Sequence, residues 1–393
     1  MRGLQWGVRG FVLLFLFLVE IGCGSGGGNN ANDQSPTPGA TPMTTATAPQ
    51  PTAISQAARA WAVGFGGGRP VIMRSEDSGA TWSVIHTSNA DSGMHFSSVH
   101  FVNRNVGWVV GTNEILHTEN GGDSWVSQVG NISGVSGPLL EKVRFSTDQR
   151  GLAVGTRLVS DPFSGPPVIL FTMDGGEHWD SAQIAPGQNP ALKKASLTSA
   201  CVTSSGIGLA VGGGVSGSLA LLSTDDGMTW SDITQKLGTI LPIQPRDVAC
   251  SGPSEMWIVG GGPARIAHSA DGGTTWTDQT SSLPVDAVGE QLGVVFVDQN
   301  TGWLTGGGVP VLRTVDRGAT WVQQALPGGT DEGGSLLAIS FATPMFGATV
   351  GMDETDITAR KPAAFATHDG GLTWVRAFVP FALGGLFDVS VVQ

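Results

Sequence analysis

The chain has 393 residues, of which 32 are acidic and 20 basic, and its formal net charge is −12 at pH 7. This balance argues against a nucleic-acid partner, because phosphate binding needs a basic surface. The chain contains 59 glycines and 12 tryptophans but no tyrosine, and the positions of these glycines and tryptophans carry the fold prediction.

The first 23 residues have the layout of a bacterial export signal. Arg2 and Arg9 precede an apolar run, residues 11–19, that is too short to span a bilayer. Cys23 follows Gly22 as in bacterial lipoprotein signals, where the cysteine is lipidated, although Glu20 stands where such signals usually carry leucine. The sequence predicts a periplasmic or cell-surface protein anchored to a membrane through Cys23, with secretion as the alternative.

Residues 24–56 are rich in glycine, serine and asparagine and then in proline, threonine and alanine. Such a segment cannot bury enough apolar surface to fold, so it predicts a disordered tether. Residues 57–393 are the predicted folded domain.

This domain repeats one short phrase seven times, at intervals of about 43 to 54 residues. Each phrase, called here a box, has a hydroxyl residue, then Asp or Asn, then glycine, and ends in tryptophan. The acidic or amide positions are Asp77, Asn120, Asp174, Asp225, Asp271, Asp316 and Asp369. The closing tryptophans are Trp82, Trp125, Trp179, Trp230, Trp276, Trp321 and Trp374.

Each unit divides into four short strands: an inner strand, a strand ending in glycine, the strand entering the box, and the strand leaving its tryptophan. The first unit opens on Trp61 without an inner strand, whereas residues 387–392 form an inner strand with no unit after it. The sequence therefore predicts an all-β fold, a seven-bladed propeller of four-stranded blades closed by the C-terminal strand in the first blade.

Within each box, the Asp or Asn is predicted to bond nearby backbone N–H groups, and glycine to supply a positive φ. Because Asn120 replaces Asp in one copy, the pattern indicates structure and not acid chemistry. The box tryptophan is predicted to pack against the adjacent blade.

Two cysteines, Cys201 and Cys250, lie on the inner strands of neighbouring units near the position that is phenylalanine elsewhere, with Cys201 one residue further back. They are interpreted as small buried hydrophobes. A disulfide between blades is the alternative in an exported protein.

The phrases at residues 75–82 and 269–276 resemble the Asp-box, or BNR, repeat of sialidases, some glycoside hydrolases, sortilin-type receptors and the photosystem II stability/assembly factor family. In the last family these boxes alternate with G-W-x-V-G strands, similar to residues 107–111 and 302–306 here. The resemblance covers about residues 57–393 and implies a propeller that binds membrane-protein intermediates through one face, without catalysis.

An enzyme with the same repeats is the runner-up. Sialidases need a tyrosine nucleophile, which this chain lacks, and Arg69 alone has the setting of a sialidase arginine. Hydrolases that use paired carboxylates, and glycan-binding proteins, stay open. No nucleophile elbow, zinc motif or phosphate loop occurs in the sequence, so we expect no catalytic residue, cofactor or metal.

The loops after the second and fourth strands of each blade should emerge on one face, opposite the boxes, and the repeats differ in length mainly there. We expect this face of a monomeric propeller to bind a protein or envelope component. Its candidate residues are Arg157, Asp161, Lys193, Lys194, Asp331, Glu332, Asp353, Glu354, Asp356, Arg360 and Lys361. Solvated loop charges, or calcium binding by Asp353, Glu354 and Asp356, are the alternatives.

Overall fold

The computed structural model describes residues 57–88, 95–157, 165–187, 189–214, 217–284, 289–307, 309–327, 334–353, 360–381 and 384–393. The predicted signal at 1–23, with Cys23, and the predicted tether at 24–56 lie outside the described residues. Within these ranges, no helix is both long and apolar enough to cross a membrane.

The described strands form seven sheets, the blades of a propeller, numbered here in chain order. Blade 1 contains β1 (Arg59–Gly66), β2 (Arg69–Ser75) and β3 (Ser83–Thr87); blade 2 contains β4 (Phe96–Phe101), β5 (Gly107–Gly111), β6 (Glu114–Thr118) and β7 (Val126–Ser127). Blade 3 contains β8 (Pro138–Phe145), β9 (Gly151–Arg157), β10 (Pro167–Thr172) and β11 (Asp180–Ser181). Blade 4 contains β12 (Gln183–Ile184), β13 (Ser196–Val202), β14 (Gly208–Gly214), β15 (Gly217–Ser223) and β16 (Thr229–Asp232).

The remaining blades repeat the same order from the inner to the outer strand. Blade 5 contains β17 (Pro245–Ser251), β18 (Glu255–Gly260), β19 (Arg265–Ser269) and β20 (Thr277–Asp278). Blade 6 contains β21 (Gln291–Phe296), β22 (Gly302–Gly306), β23 (Val309–Thr314) and β24 (Val322–Gln324). Blade 7 contains β25 (Ser335–Phe341), β26 (Gly347–Asp353), β27 (Lys361–Thr367) and β28 (Val375–Arg376), and the last strand is β29 (Gly384–Val392). The helical turns are α1 (Thr234–Leu237) and the 3₁₀ turns Val129–Asn131, Pro190–Lys193, Gly238–Ile240 and Thr280–Ser282.

The ring closes through the C-terminal strand, which confirms the sequence prediction. Strand β29 pairs antiparallel with β1 as the inner strand of blade 1, with Val391 opposite Ala60 and Val389 opposite Ala62. Both ends of the propeller segment therefore lie in one sheet, and this pairing removes the free inner edge that blade 1 would otherwise expose.

Aromatic stacks join most neighbouring blades. Trp61 on the second strand of blade 1 stacks on Phe101 of blade 2, with ring centroids 3.6 Å apart. Its Nε1 also donates to the carbonyl of Gly121 in the box of blade 2 at 2.9 Å. Trp125 of that box meets Phe101 edge-on. The same stack recurs as Trp108–Phe145, Trp257–Phe296 and Trp303–Phe341. Trp125 also packs in one apolar cluster with Trp61 of the preceding blade.

Blades 3, 4 and 7 lack this tryptophan. After blades 3 and 4 the partner position is correspondingly smaller. Leu152 packs in one cluster with Val202 of blade 4, and Leu209 packs in another with Cys250 of blade 5. Because protein interiors are close-packed, smaller side chains on both sides of an interface keep its volume filled.

The two cysteines form a disulfide between the inner strands of blades 4 and 5, with their Cα atoms 5.7 Å apart. The interpretation as two unbonded buried hydrophobes is wrong. Cys250 lies opposite Met256 in the phenylalanine position, whereas Cys201 lies opposite Leu209, one residue earlier. Since a shift of one residue turns a side chain to the other face of a strand, Cys201 points toward blade 5 and meets Cys250.

Opening this disulfide should destabilise the propeller. The bond joins residues 49 apart in sequence, and restricting the unfolded chain by such a loop contributes about 2–4 kcal/mol. Urea unfolding with and without a reductant measures the difference, and a Cys201→Ala, Cys250→Ala double variant, which should not respond to the reductant, is the control. Identical unfolding of the wild type in both conditions would contradict the bond.

Candidate partner-binding face

The propeller has two faces of different construction. The loop face carries the connections after the second and fourth strands of each blade, and the box face carries the seven boxes and the turns after the inner strands. This arrangement follows from the antiparallel order of the four strands in each blade.

Three predicted site residues lie on the loop face at blades 3 and 4. Arg157 ends β9, and Lys193 and Lys194 lie in the connection that leads into β13. All three side chains are exposed. The turn that carries the lysines is anchored by Asn189, whose Oδ1 accepts the Ala191 N–H at 3.0 Å.

Three more lie on the same face at blade 7. Asp353 ends β26 directly opposite Lys361, which begins β27. The carbonyl of Arg360 accepts the N–H of Gly384 at 2.9 Å, so this loop adjoins β29 of blade 1. Blades 3 and 4 and blade 7 lie on opposite sides of a seven-bladed ring, so the structure forms two separate groups. Asp161, Asp331, Glu332, Glu354 and Asp356 lie outside the described residues.

On the box face, the aspartates are engaged in hydrogen bonds within their own turns. Oδ1 of Asp77 accepts from the Ser75 hydroxyl at 2.7 Å and from the Thr81 N–H at 2.8 Å, and Oδ2 accepts from the Thr81 hydroxyl at 2.6 Å. Gly79 has φ +92° and donates its N–H to Ser75 Oγ. Equivalent bonds hold Asp174, Asp225, Asp271, Asp316 and Asp369.

The box of blade 2 keeps this geometry with an amide. Oδ1 of Asn120 accepts from the Ser124 N–H at 2.9 Å and from the Thr118 hydroxyl at 2.9 Å. Its Nδ2 donates to the Ser124 hydroxyl at 2.8 Å, whereas Oδ2 of Asp77 accepts a hydrogen bond from the Thr81 hydroxyl at the same place. The predicted structural function of the box does not depend on a carboxylate.

Asp77→Ala should therefore lower the free energy of unfolding by about 1–3 kcal/mol, since it leaves several donors without their acceptor. Asp77→Asn should stay close to the wild type, because Asn120 makes the same turn. Denaturant unfolding of the two variants measures the difference, and equal destabilisation by both changes would contradict the structural role.

The boxes should also make stability fall in acid. Burial raises the pKa of Asp77, but hydrogen bonds from Thr81 and Ser75 outweigh it, and the pKa lies below its usual 3.8. At Asp271, bonds from Thr275 lower the pKa to about 2. A depressed carboxyl pKa stabilises the fold above about pH 4, and this contribution is lost as pH falls through the folded-state values. Thermal unfolding between pH 5 and pH 2 tests this, with Asp77→Asn showing a smaller loss.

An ion-pair network that the sequence did not predict crosses the central channel. Nζ of Lys142 on the inner strand of blade 3 lies 3.2 Å from Oδ1 of Asp388 in blade 1 and 4.0 Å from Oδ1 of Asp247 in blade 5. Arg144 lies 3.6 Å from Asp388. Asp388 also accepts from the Ser98 hydroxyl at 2.6 Å. The network, named here the channel network, joins three blades through one ammonium group.

The channel network sets the ionisation of its members. Burial opposes ionisation of Asp388, but Lys142 and Arg144 hold its pKa below the usual range. Burial, with the charge of Arg144 in second place, lowers the pKa of His100 to about 3, so this imidazole stays neutral. Outside this network, burial alone raises the pKa of Glu141, the neighbour of Lys142 on β8, to about 7. The sequence signal for the network was the Asp-Val pair that recurs in β17 and β29.

A second charged cluster lies on the box face between blades 1 and 2. Glu76 accepts from Arg59 at 2.8 Å and pairs with Arg74 at 2.9 Å, and Arg74 reaches Asp123 at 2.6 Å. Arg104 lies 3.8 Å from Glu76. Because carboxylates accompany all three arginines, the cluster mainly joins neighbouring box turns.

An apolar groove of about 380 Å³ lies beside the outer strand of blade 1 and was also not predicted from sequence. Its walls include Val71, Trp82 and Val84 of blade 1 and Pro380 and Phe381 of the connection from blade 7. The groove brings together segments about 300 residues apart, a closeness that only ring closure creates.

Among the described residues, no cluster of three or more histidine, cysteine, aspartate or glutamate side chains could hold a metal ion. Of the three residues considered for calcium, only Asp353 is described, so that alternative is not decided.

Comparison with known proteins gives matches to one assembly-factor family. A family model described as photosynthesis system II assembly factor YCF48 matches residues 42–133. A curated relative, photosystem II assembly lipoprotein Ycf48 from Synechococcus sp. (strain CC9902), is 26% identical over 149 residues. The alignment covers 37% of this chain and 40% of that relative, well under two thirds of its length.

Solved structures share the fold at low identity. A structure described as YCF48 bound to D1 peptide has a TM-score of 0.53 and 20% identity, covering 82% of this chain and 89% of that chain. An ancestral GH74 enzyme has a TM-score of 0.51 and 12% identity, covering 83% of this chain and 46% of its own. At these identities the likeness is one of fold. The repeats, the closed ring and the family match together make the chain a BNR/Asp-box propeller that resembles the photosystem II stability/assembly factor family.

Proposed function

We propose that this protein is an exported, non-catalytic scaffold that binds a segment of another protein through its loop face, as a photosystem II assembly factor-like propeller. The match of residues 42–133 to the assembly-factor family carries the proposal. The structure described as YCF48 bound to D1 peptide supports a peptide as the kind of partner.

The bonding of the box aspartates and of the two channel-network aspartates favours binding over hydrolysis. The box aspartates accept hydrogen bonds within their own turns, and Asp388 and Asp247 face Lys142 in the channel network. Carboxylates held in this way are poorly placed to protonate a glycosidic oxygen or attack a sugar carbon.

The loop face offers cations to such a partner. Arg157, Lys193 and Lys194 are exposed on blades 3 and 4, and Arg360 and Lys361 lie at blade 7. Exposed charges on loops above a rigid scaffold are suited to recognition. On a chain with net charge −12, these two groups are places where an acidic segment would be attracted.

Lipidation of Cys23 would hold the scaffold at a membrane surface, consistent with the word lipoprotein in the name of the Synechococcus relative. Cys23→Ala should move the full chain from the membrane fraction to the soluble fraction. Unchanged partitioning would contradict the anchor.

Binding can be measured with the full chain and fluorescent peptides that cover the exposed segments of D1. We expect saturable binding that Lys193→Glu, Lys194→Glu weakens by at least about tenfold, a loss of about 1.4 kcal/mol. Arg150→Glu is the matched control, because Arg150 lies on the box face in a surface pair with Asp226. Equal weakening by both changes, or no binding of any peptide, would count against the proposal.

A glycoside hydrolase or glycan-binding protein is the second candidate, favoured by the fold shared with the ancestral GH74 enzyme. Incubation with a panel of polysaccharides and aryl glycosides distinguishes the two. The scaffold proposal predicts no turnover, and carboxylate-dependent hydrolysis would replace it with the enzyme.

A further inference from the structure

The outer edge of blade 1 is unusually long. Strand β3 has five residues, Ser83–Thr87, whereas the outer strands of the other blades have two to four. Within the described ranges, no further strand pairs with the outer side of β3. A long edge presents backbone donors and acceptors that can pair with another extended segment.

Blade 4 shows what covers the same edge elsewhere in the ring. There the preceding connection forms β12, which runs parallel to β16 and makes blade 4 five-stranded. Gln183 donates its N–H to the carbonyl of Met228 at 3.0 Å, and Ala185 donates to the carbonyl of Trp230 at 2.8 Å. The partly buried Ile184 packs into the core beneath.

In blade 1 the connection that arrives from blade 7 begins to pair with the outer strand in the same way, but the pairing then stops. The N–H of Phe378 donates to the carbonyl of Ala80 at 3.0 Å, which corresponds to the bond from Gln183 to Met228 in blade 4. The carbonyl of Phe378 accepts from the N–H of Trp82 at 3.1 Å. The position of Ala185 is taken by Pro380, which has no N–H to give. The chain then turns toward Gly66, where Phe381 packs. Among the residues that the structure describes, none continues this ladder along β3 beyond Trp82.

The apolar groove lies beside this open ladder. Its cavity of about 380 Å³ is bounded by Trp82, Val84 and Phe381. Val84 is 42% exposed and Phe378 is 65% exposed. Val379 takes the place of Ile184 and packs on the core of blade 1. The groove lies beyond it, between Pro380 and Val84, and offers an apolar recess there.

The loop-face end of the groove is cationic. Gly66 and Gly67 line the groove, and the turn they form leads to Arg69, whose side chain is exposed. Lys361 is also exposed at the neighbouring blade 7, but it lies directly opposite Asp353, so the positive charge here comes mainly from Arg69. An acidic end of an occupant would be complementary to these charges.

We infer that an extended segment of a partner protein docks beside β3 as an additional strand. It runs parallel to β3, places an apolar side chain in the groove and directs carboxylates toward Arg69, a mode of strand addition known for peptide recognition. The inference rests on the proposed function, since it gives the same partner protein a second contact, at the outer edge of blade 1, and names the kind of segment that makes it. The chain's own residues 24–56 fit less well, because Met43 and Ile54 are their only large apolar side chains.

Selection of a phage-displayed library of random 12-residue peptides on the full chain tests this inference. The enriched peptides should alternate apolar and polar residues and end in acidic ones. Fluorescence anisotropy should show that Val84→Lys weakens their binding by at least about tenfold, that Arg69→Glu weakens it in a salt-dependent way, and that Val322→Lys leaves it unchanged. Val322 is the matched control, an exposed valine on the outer strand of blade 6.

The inference would be overturned if the selection enriches no peptide, or if the enriched peptides bind the Val84→Lys and Val322→Lys variants equally well. It would also be overturned if the amides of Ser83–Thr87 are protected from hydrogen exchange in the free full chain and lose that protection when residues 24–56 are deleted. The last result would assign the groove to the protein's own tether. If D1 peptides bind the Val84→Lys variant normally but lose affinity on reversal of Lys193 and Lys194, the proposed function stands and only the groove is refuted.

Discussion

Replacement of Lys142 by methionine is expected to lower the free energy of unfolding by about 3–5 kcal/mol, the usual cost of removing one partner from a buried ion pair. The change leaves the carboxylates of Asp388 and Asp247 in the channel without the ammonium group that faces both of them. Asp388 is 2% exposed, so water cannot replace that interaction. Urea unfolding followed by tryptophan fluorescence measures the loss.

The pH dependence separates this effect from a packing defect. In the wild type the pKa of Asp388 is depressed, so its contribution is present above about pH 4 and is lost in acid. Without Lys142 the pKa of Asp388 should rise, although Arg144 and Ser98 still lower it, so the deficit of the variant relative to the wild type should shrink as pH falls. Asp388→Asn should rescue part of the Lys142→Met defect, and Lys193→Met, at an exposed site, should change little. A Lys142→Met defect that is independent of pH would refute the electrostatic explanation.

Deletion of residues 386–393 is expected to abolish cooperative folding of the whole ring. The deletion removes most of β29, including the buried Leu386, Val389 and Val391 that pack between blades 7 and 1. It also removes Asp388 from the channel network and exposes the inner edge of β1. The combined loss is expected to exceed about 5 kcal/mol, which is comparable with the total stability of a domain.

Calorimetry and circular dichroism of the truncated chain test this expectation, with deletion of the exposed Gln393 alone as the control. Loss of the unfolding transition, or aggregation through the exposed edge, is the predicted outcome. A fall in melting temperature of only a few degrees would mean that blade 1 does not depend on β29.

The fold was predictable because its information is local and repeated. Every box places the same turn chemistry before the same tryptophan. Counting the strands of each unit shows that the first unit lacks an inner strand and that the chain ends on a spare one, so the two could be matched. The disulfide was only the alternative interpretation for a related reason. The one-residue offset of Cys201 was visible, but its consequence appears only when its position opposite Leu209 is known.

The channel network and the apolar groove could not be predicted in this way. Lys142 and Asp388 are 246 residues apart in sequence. Their side chains meet only because the closed ring places the inner strands of blades 3 and 1 close together around its centre. The groove depends on Pro380 interrupting a ladder that blade 4 completes with Ala185. The predicted loop-face residues separate into two groups for the same reason, since the sequence gives their face but not their distance around the ring.

Photo-cross-linking from both faces of the full chain tests the central claim, that the loop face binds a protein segment while the box face is scaffolding. A benzophenone amino acid at Lys193 should capture D1 peptides in a saturable manner, and the same group at Glu119 on the box face should not. Capture from Glu119 alone, or capture from neither site together with hydrolysis of a glycoside, would contradict the account.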